Sequence, residues 1–194
     1  NETWVQCKNN EVFAVYKAAT GGLIYSSLRE NNWVSEIIDD SNGSGYFPAL
    51  VLDEAGEPHV SYYNQIKHEL MYAYKDGEKW QTFTVDSEGD VGKFTSIAID
   101  NKGNIHISYY DEDHKSLKYS FGQKSNWNHY TVSDIGNVGK YNSLILDKNG
   151  NPRISYFDES SNVLLYAYAI LDRSEVEPSR MFSIHRSGQT FLTW

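Results

Sequence analysis

Residues 100–120 read Asp100-Asn-Lys-Gly-Asn-Ile-His-Ile-Ser-Tyr-Tyr-Asp-Glu-Asp-His-Lys-Ser-Leu-Lys-Tyr-Ser, and closely similar phrases begin at Asp53 and Asp147. The three phrases are 47 residues apart, without insertion or deletion. The same spacing relates Trp33, Trp80 and Trp127, and also Gly45, Gly92 and Gly139, Ser61, Ser108 and Ser155, and Leu70, Leu117 and Leu164. A strict period near 47 residues predicts a solenoid or a propeller.

A fourth, less regular copy of the unit occupies the N-terminus. Counting back 47 residues from the second unit gives matches at Leu23, Tyr25 and Tyr16, which correspond to Leu70, Tyr72 and Tyr63. Four units of this length nearly fill the 194 residues. We therefore expect one domain that spans residues 1–194.

Each unit has the composition of four short β-strands. In the second unit, runs rich in Val, Tyr, Phe and Thr lie between Gly, Asn and Asp residues, which is typical of strands. The runs are 49–52, 59–63, 70–74 and 80–85. Four antiparallel strands at this period predict an all-β propeller of four blades. The strand that ends at Asp53 is apolar on both faces, which predicts the innermost position, and Trp80 then opens the outermost strand.

The turn after each innermost strand has the pattern Asp-x-x-Gly, at Asp53, Asp100 and Asp147. An aspartate side chain can cap a turn, and glycine tolerates the positive φ that a short hairpin needs. The pattern lacks the alternating oxygen ligands of a calcium loop. We therefore predict a structural role for these carboxylates and no metal site.

The repeated phrase resembles the blade repeat of secreted or surface-attached bacterial propeller proteins, akin to sialidase-like and lectin-like propellers. The phrase is Asp-x-x-Gly-x-x-His-[Val/Ile]-Ser-Tyr-Tyr-[Asp/Asn] followed by Leu-x-Tyr-[Ala/Ser], and the third copy has Arg153 in place of His. The resemblance covers about residues 1–170. It implies a propeller fold and a secreted or cell-surface location. The Asp-box of sialidases is not matched, since no Trp follows the glycine.

The two ends of the chain leave the number of blades open. Residues 1–6 and 189–194 both align with an innermost strand, and residues 172–180, which contain Pro178 and several charges, interrupt the repeat. One interpretation is a closed four-bladed ring, in which a C-terminal segment that begins at Met181 supplies the missing outer strand of the last blade or closes the ring against the first blade. The alternative is a fragment of a larger propeller, followed by the start of another β-domain, since residues 187–194 resemble the opening of fibronectin-type modules.

The composition favours a binding domain and argues against several partners. The net charge of −9 is unfavourable for nucleic-acid backbones and anionic membranes. No apolar stretch has the length of a transmembrane helix, so we expect no membrane insertion. Cys7 is the only cysteine and cannot form an internal disulfide. The oligomeric state is left open.

The loops that lead into the innermost strands supply the first candidate ligand-binding residues. An aromatic residue stands two positions after each of Gly45, Gly92 and Gly139. After Gly92 and Gly139, a lysine directly precedes the aromatic residue. A sugar stacks its C–H face on an aromatic ring while its hydroxyls need hydrogen-bond partners. The alternative is that the rings only pack between blades. The predicted glycan-binding residues of this set are Tyr46, Phe47, Lys93, Phe94, Lys140 and Tyr141.

The loops that join the second and third strands of each unit supply further candidates. These are His68, Asp111, Asp113, His114 and Asp158. A histidine beside carboxylates can bind a metal or act as a base, although the spacing of a zinc site is absent and a solvated loop is the simpler interpretation. His59 and His106 lie at the opposite end of the unit, where a structural hydrogen bond is expected.

No catalytic motif is present. The sequence lacks Gly-x-Ser-x-Gly, a phosphate-binding loop and a dinucleotide fingerprint, so we predict no catalytic residue and no cofactor. The prediction is a lectin-like domain with several similar shallow sites on one face. A polysaccharide-active enzyme, either a glycoside hydrolase or a lyase, and a structural or protein-binding scaffold stay as alternatives.

Overall fold

The computed structural model describes residues 3–169, 183–186 and 189–192. Residues 3–169 form fifteen strands in four antiparallel sheets, one for each sequence unit. Blade 1 contains β1 (Thr3–Lys8), β2 (Glu11–Lys17), β3 (Leu23–Arg29) and β4 (Asn32–Asp39). Blade 2 contains β5 (Tyr46–Leu52), β6 (Pro58–Asn64), β7 (Glu69–Asp76) and β8 (Lys79–Asp86).

The third and fourth sheets repeat this order. Blade 3 contains β9 (Val91–Ile99), β10 (Ile105–Asp111), β11 (Ser116–Gln123) and β12 (Asn126–Ser133). The described strands of blade 4 are β13 (Val138–Leu146), β14 (Pro152–Asp158) and β15 (Val163–Tyr168). A hairpin of β16 (Ser183–Arg186) and β17 (Gln189–Leu192) follows, with β17 close to β15.

The sheets have the arrangement of propeller blades, as the repeat predicts. In each blade the strands are hydrogen-bonded in chain order, and the first strands β1, β5, β9 and β13 lie side by side in that order. The strand that ends before each Asp-x-x-Gly turn is therefore the innermost one. It is apolar on both faces because Leu50 packs towards blade 1 while Val51 packs towards blade 3. None of the described residues forms a helix that could cross a membrane.

The interface between neighbouring blades, which we call a seam, is closed at its outer edge by a tryptophan. Trp80 of blade 2 lies edge-on to Tyr25 of blade 1 at 5.4 Å between ring centroids, and Trp127 meets Tyr72 at 5.5 Å. Such aromatic contacts are favourable beyond the area that they bury. The prediction that these tryptophans open the outermost strands is confirmed, and each covers the blade before its own.

The Asp-x-x-Gly turns have the capping role that the sequence predicts. Asp100 Oδ1 accepts hydrogen bonds from the backbone N–H groups of Lys102 and Asn104, and Gly103 has a φ of 79°. At the same end of the blades, Nδ1 of His59 and of His106 lies 2.6 Å from a tyrosine hydroxyl. These two histidines therefore make the structural hydrogen bonds expected of them.

Blade 1 departs from the strict 47-residue alignment by one residue. Tyr16 is opposite Ile24 in the ladder, whereas Tyr63 is opposite Leu70. The β2–β3 hairpin is thus one residue shorter than its counterparts, and Lys17 takes the place of Tyr63. The sequence alignment of Tyr16 with Tyr63 is therefore wrong by one position.

The outward faces of the first and last blades are uncovered in the described part of the chain. Leu70 and Leu117 are completely buried by the following blade, but Leu164, the same position in blade 4, is 64% exposed. Trp33 is 55% exposed, and no blade in the described part of the chain lies against it. The expectation that blade 4 closes the ring by packing on blade 1 is thus not met among the described residues. The predicted irregular segment at 172–180 lies outside them.

We predict that the same substitution has very different effects in the three blades. Leu70→Ala and Leu117→Ala should each destabilise the protein by about 2 to 5 kcal/mol, because a buried leucine leaves a cavity. Leu164→Ala should change stability by less than about 0.5 kcal/mol, as expected for an exposed side chain. Chemical denaturation measures all three. A large loss for Leu164→Ala would show that this face is covered in solution.

Candidate functional site

A cavity lies at the end of the blades where the innermost strands begin. Its volume is about 490 Å³. The starts of β5, β9 and β13, the β6–β7 loop and the β8–β9 connection surround it. Its lining side chains are Tyr46, Phe47, Tyr63, Gln65, His68, Asp90, Lys93, Phe94, Glu112, Lys140 and Tyr141.

A glycine allows each innermost strand to pass very close to the blade before it. A Cβ atom on Gly92 would lie 2.7 Å from the Cα atom of Leu70, and one on Gly139 would lie 2.8 Å from the Cα atom of Leu117. Both glycines have a φ of 109°. Any side chain here would clash with backbone and strain its own conformation, so only glycine fits.

The aromatic residue two positions after each glycine has an uncommon backbone conformation. The φ angles of Phe47, Phe94 and Tyr141 are 48°, 54° and 52°. Bulky side chains rarely adopt positive φ, and such strain is concentrated at functional sites. The next blade stabilises the conformation, because Phe47 O accepts a hydrogen bond from Thr95 Oγ1 and Phe94 O accepts one from Asn142 Nδ2.

The three aromatic rings form a row across the starts of the innermost strands. The ring centroids of Phe47 and Phe94 are 4.5 Å apart, and those of Phe94 and Tyr141 are 4.8 Å apart. Phe47 and Phe94 are half-buried, whereas Tyr141 is 67% exposed. On the axial side, the same rings line a second cavity of about 350 Å³. The rings thus pack against one another and still present surface to solvent.

Charged side chains and a tyrosine from two blades meet at the second seam, between blades 2 and 3. Lys93 Nζ lies 2.8 Å from Asp90 Oδ2 and 3.1 Å from Glu112 Oε2. The Tyr63 hydroxyl donates to Asp90 Oδ1 at 2.5 Å, and Lys93 Nζ lies 5.5 Å from the centre of the Tyr63 ring. The His68 ring is 3.0 Å from the same hydroxyl.

These contacts fix the protonation states of the second seam. Burial raises the pKa of Asp90, but hydrogen bonds from Lys93 and Tyr63 outweigh it and hold the pKa below its ordinary value. Burial lowers the pKa of Lys93, and its bonds to the two carboxylates outweigh this and raise it. Burial and the Asp90 charge raise the pKa of Tyr63 well above its ordinary value. At neutral pH the tyrosine is therefore a donor and Asp90 an acceptor.

The third seam, between blades 3 and 4, repeats the arrangement 47 residues later. The Tyr110 hydroxyl donates to Asn137 Oδ1 at 2.7 Å, and Lys140 Nζ lies 2.8 Å from Glu159 Oε2. Asn137 Nδ2 also donates to Glu159 Oε2, and Lys140 Nζ lies 5.2 Å from the centre of the Tyr110 ring. Burial and the Glu112 charge raise the pKa of Tyr110 to about 12.

The first seam, between blades 1 and 2, keeps one of these contacts with the partners exchanged. Lys17 occupies the position of Tyr63, and Tyr46 occupies the position of Lys93. The Lys17 Nζ atom lies 4.7 Å from the centre of the Tyr46 ring. Gln65 replaces the seam glutamate. The lysine–tyrosine contact is therefore common to all three seams, but the carboxylates are not.

The structure divides the predicted site residues into two groups. The first group lines the cavity, namely Tyr46, Phe47, His68, Lys93, Phe94, Lys140 and Tyr141. The second group lies in the loops that join second and third strands, namely Asp111, Asp113, His114 and Asp158.

The side chains of the second group are bound within their own surroundings. Asp111 is buried and accepts from the backbone and ring of His114, and Asp158 is buried and accepts from Ser160 N. Asp113 Oδ2 accepts from the backbone N–H of Asp90. These carboxylates hold the loops in place because the tight turns present N–H groups that need acceptors. Their assignment as direct ligand contacts gains no support from this geometry.

Sequence reasoning did not find the partners of the two lysines. These are Tyr63, Asp90 and Glu112 in the second seam, and Tyr110, Asn137 and Glu159 in the third. The 47-residue spacing of each pair was a signal that could have identified them. Their convergence on one lysine needed the tertiary structure, because the tyrosine belongs to the preceding blade and the glutamate lies in a loop after the neighbouring strand.

The seams offer donors, acceptors and apolar rings side by side. Lysine and tyrosine donate, the carboxylates and the asparagine oxygen accept, and the aromatic row provides flat surface. Such combinations are suited to polyhydroxylated ligands, whose C–H faces stack on rings. A general acid in glycoside hydrolysis needs a raised carboxyl pKa, whereas the pKa of Asp90 is lowered. Asp90 is therefore poorly suited to be a general acid, and the combination of donors, acceptors and rings suits the binding of a polyhydroxylated ligand.

Comparisons with known proteins support the fold. No protein-family model matches the chain, and no curated protein matches it. Among solved structures it is similar to a triple arginine-to-alanine mutant of AofleA from Arthrobotrys oligospora, with a TM-score of 0.63, 11% identity, and coverage of 85% of this chain and 52% of that chain. It is also similar to the Aleuria aurantia lectin in complex with Fucα1-6GlcNAc, with a TM-score of 0.63, 10% identity, and coverage of 88% and 58%.

A third similar structure is an enzyme. It is the GH43_1 enzyme from Xanthomonas citri complexed with xylotriose, with a TM-score of 0.50, 12% identity, and coverage of 82% and 64%. The chain spans about half of the length of AofleA, and these identities are low enough that the likeness shows the fold alone. Lectins and GH43 propeller enzymes are thus its structural neighbours.

We predict that the contribution of Asp90 to stability is lost in acid. Because its pKa is lowered by folding, its stabilisation is present above the ordinary value of 3.8 and is lost as the pH falls through the folded-state value. Asp90→Asn should be less stable than the natural protein by about 1 kcal/mol at pH 7. Denaturation at several pH values should show this difference shrinking below pH 3.8. A difference that is constant with pH would contradict the assignment.

Proposed function

We propose that the chain is a carbohydrate-binding, lectin-like propeller domain that binds glycans at the seams on the cavity face. The observation that carries the proposal is the repeated cluster at the second and third seams. Each cluster combines a lysine, a glutamate and a tyrosine hydroxyl beside a partly exposed aromatic row. These groups would bind sugar hydroxyls and the C–H face of the ring.

The structural neighbours agree with this proposal at the level of the fold. One is named as a lectin and is in complex with Fucα1-6GlcNAc, and another is an enzyme in complex with xylotriose. A glycan ligand for this chain would also agree with a secreted or cell-surface location, which we propose on the same basis. The enzyme alternative has less support at Asp90, because hydrogen bonds from Lys93 and Tyr63 hold the pKa of this carboxyl below its ordinary value, whereas a general acid needs a raised pKa.

We predict that the two seam lysines are required for glycan binding. Lys93→Ala and Lys140→Ala should each weaken binding at their own seam by about tenfold or more, since hydrogen bonds from charged groups contribute about 1.5 to 3 kcal/mol. The matched control is Lys148→Ala, an exposed lysine in a turn at the opposite end of blade 4. A glycan array followed by titration calorimetry measures the effect. If the double variant binds glycans as well as the control, the proposal fails.

We further predict that Tyr141 contributes more to binding than to stability. Its ring is 67% exposed, so Tyr141→Ala should change the free energy of unfolding by less than about 0.5 kcal/mol. Loss of a stacking surface should weaken glycan binding by about 1 to 3 kcal/mol, with base stacking on aromatic side chains as the measured analogue. Thermal melts and calorimetry on the same samples separate the two effects. Unchanged binding would assign the ring to packing.

A further inference from the structure

The second and third seams share one hydrogen-bond scaffold although their residues differ. In both, a tyrosine hydroxyl donates to the side-chain oxygen of the residue three positions before the lysine, which is Asp90 or Asn137. In both, the backbone N–H of that residue donates to the loop side chain, to Asp113 Oδ2 at 2.9 Å or to Ser160 Oγ at 2.8 Å. The two pairs of residues therefore have the same structural roles.

The charge of the two seams is different. The second seam has three carboxylates, Asp90, Glu112 and Asp113, around one ammonium group. The third has only Glu159 with its lysine, because asparagine and serine take the places of the two aspartates. The formal charges are thus −2 and 0. In the loop of the preceding blade, residues 67–68 and 114–115 each contain one lysine and one histidine, but Gln65 stands beside the second seam where Glu112 lies near Tyr110 of the third. The contrast in charge therefore applies to the groups bonded to each lysine and to its hydrogen-bond scaffold.

The difference in charge also changes how strongly each lysine is neutralised. Lys93 is bound by two carboxylates, at 2.8 and 3.1 Å, whereas Lys140 is bound by one, at 2.8 Å. Both lysine side chains have the same exposure, 19%, so burial does not distinguish them. An anionic ligand group would be repelled by the excess carboxylates of the second seam. At the third seam it would meet an ammonium group and an amide donor that are bonded to a single carboxylate, that of Glu159.

We propose that the two seams select sugars by charge, so that the second seam binds a neutral sugar and the third binds an anionic sugar bearing a carboxylate or a sulfate. This inference rests on the proposed function, because it assigns ligand classes to the same two seams. The residues that determine the difference are Asp90 and Asp113 in the second seam, and Asn137 and Ser160 in the third. A glycan that contains both kinds of sugar would occupy both seams.

The first experiment separates the seams by single variants. Lys93→Ala leaves the third seam intact, and Lys140→Ala leaves the second intact. Both are applied to an array in which neutral oligosaccharides are paired with their uronic-acid and sulfated counterparts. Lys140→Ala should lose the anionic glycans and keep the neutral ones, and Lys93→Ala should do the reverse. Separate uronic-acid and sulfate arms show which anionic group is bound.

The second experiment exchanges the charges and keeps acceptors for the two scaffold hydrogen bonds, those from the tyrosine hydroxyl and from the backbone N–H. Asn137→Asp with Ser160→Asp should weaken binding of the anionic glycans by about tenfold or more. The double variant introduces into the third seam the two carboxylates that the second seam has. Asp90→Asn with Asp113→Ser should allow the second seam to bind anionic glycans in the Lys140→Ala background. Circular dichroism and melting temperature confirm that each variant is folded. Binding at the third seam should also weaken as salt increases.

The outcomes distinguish this inference from the proposed function. If the natural chain binds no glycan on the array, the proposed function fails and the inference fails with it. If glycans bind but both lysine variants lose the same set, binding stands and charge selection is overturned. If the charge exchange leaves the anionic glycans bound as before, the four named residues do not determine the selection.

Discussion

The structure depends on the close contact between a glycine and the backbone of the preceding blade. Gly92 and Gly139 pass so near to Leu70 and Leu117 that a Cβ atom would clash with main-chain atoms. This approach brings each innermost strand against its neighbour with positive φ, and the following aromatic residue continues in that conformation. The lysine between the glycine and the aromatic residue therefore lies beside the tyrosine of the preceding blade. The packing contact that joins the blades thus also assembles the polar cluster above it.

Each seam has an apolar part between the sheets and a polar part at the cavity face, and the residues of the polar part differ between seams. Between the sheets, residues such as Leu70 and Tyr109 are fully buried, and substitutions there would cost packing energy. At the cavity face, aspartate and asparagine accept the same hydrogen bond from tyrosine, and aspartate and serine accept the same one from the backbone. The charge of a seam can therefore change without disturbing the scaffold. This separation explains how three copies of one unit present three different sets of polar groups.

Identical residues at equivalent positions of the units differ in burial according to whether another blade packs against them. Leu70, Leu117 and Leu164 occupy the same position in their units, but only the first two are covered. Likewise Trp80 and Trp127 cover a tyrosine of the blade before, whereas Trp33 has no blade before it among the described residues. Burial in a repeat protein is a property of the interface between units, because each unit contacts only its neighbours. A sequence pattern that is the same in every unit cannot report it.

The sequence alone determined the unit of the fold, because its signals are local. The 47-residue period, the short β-rich runs and the Asp-x-x-Gly turns each depend on residues within one unit, and together they predicted the blade, its innermost strand and its capping aspartates. The position of Lys93 and Phe94 at the start of that strand likewise located the cavity face. Only the tertiary structure decided which side chains meet there, since Asp90, Glu112 and Tyr63 reach Lys93 from different strands and loops. It also decided that Asp111 and Asp158 are buried loop caps, and that the end faces are exposed in the described part of the chain, because both depend on contacts that no local pattern encodes.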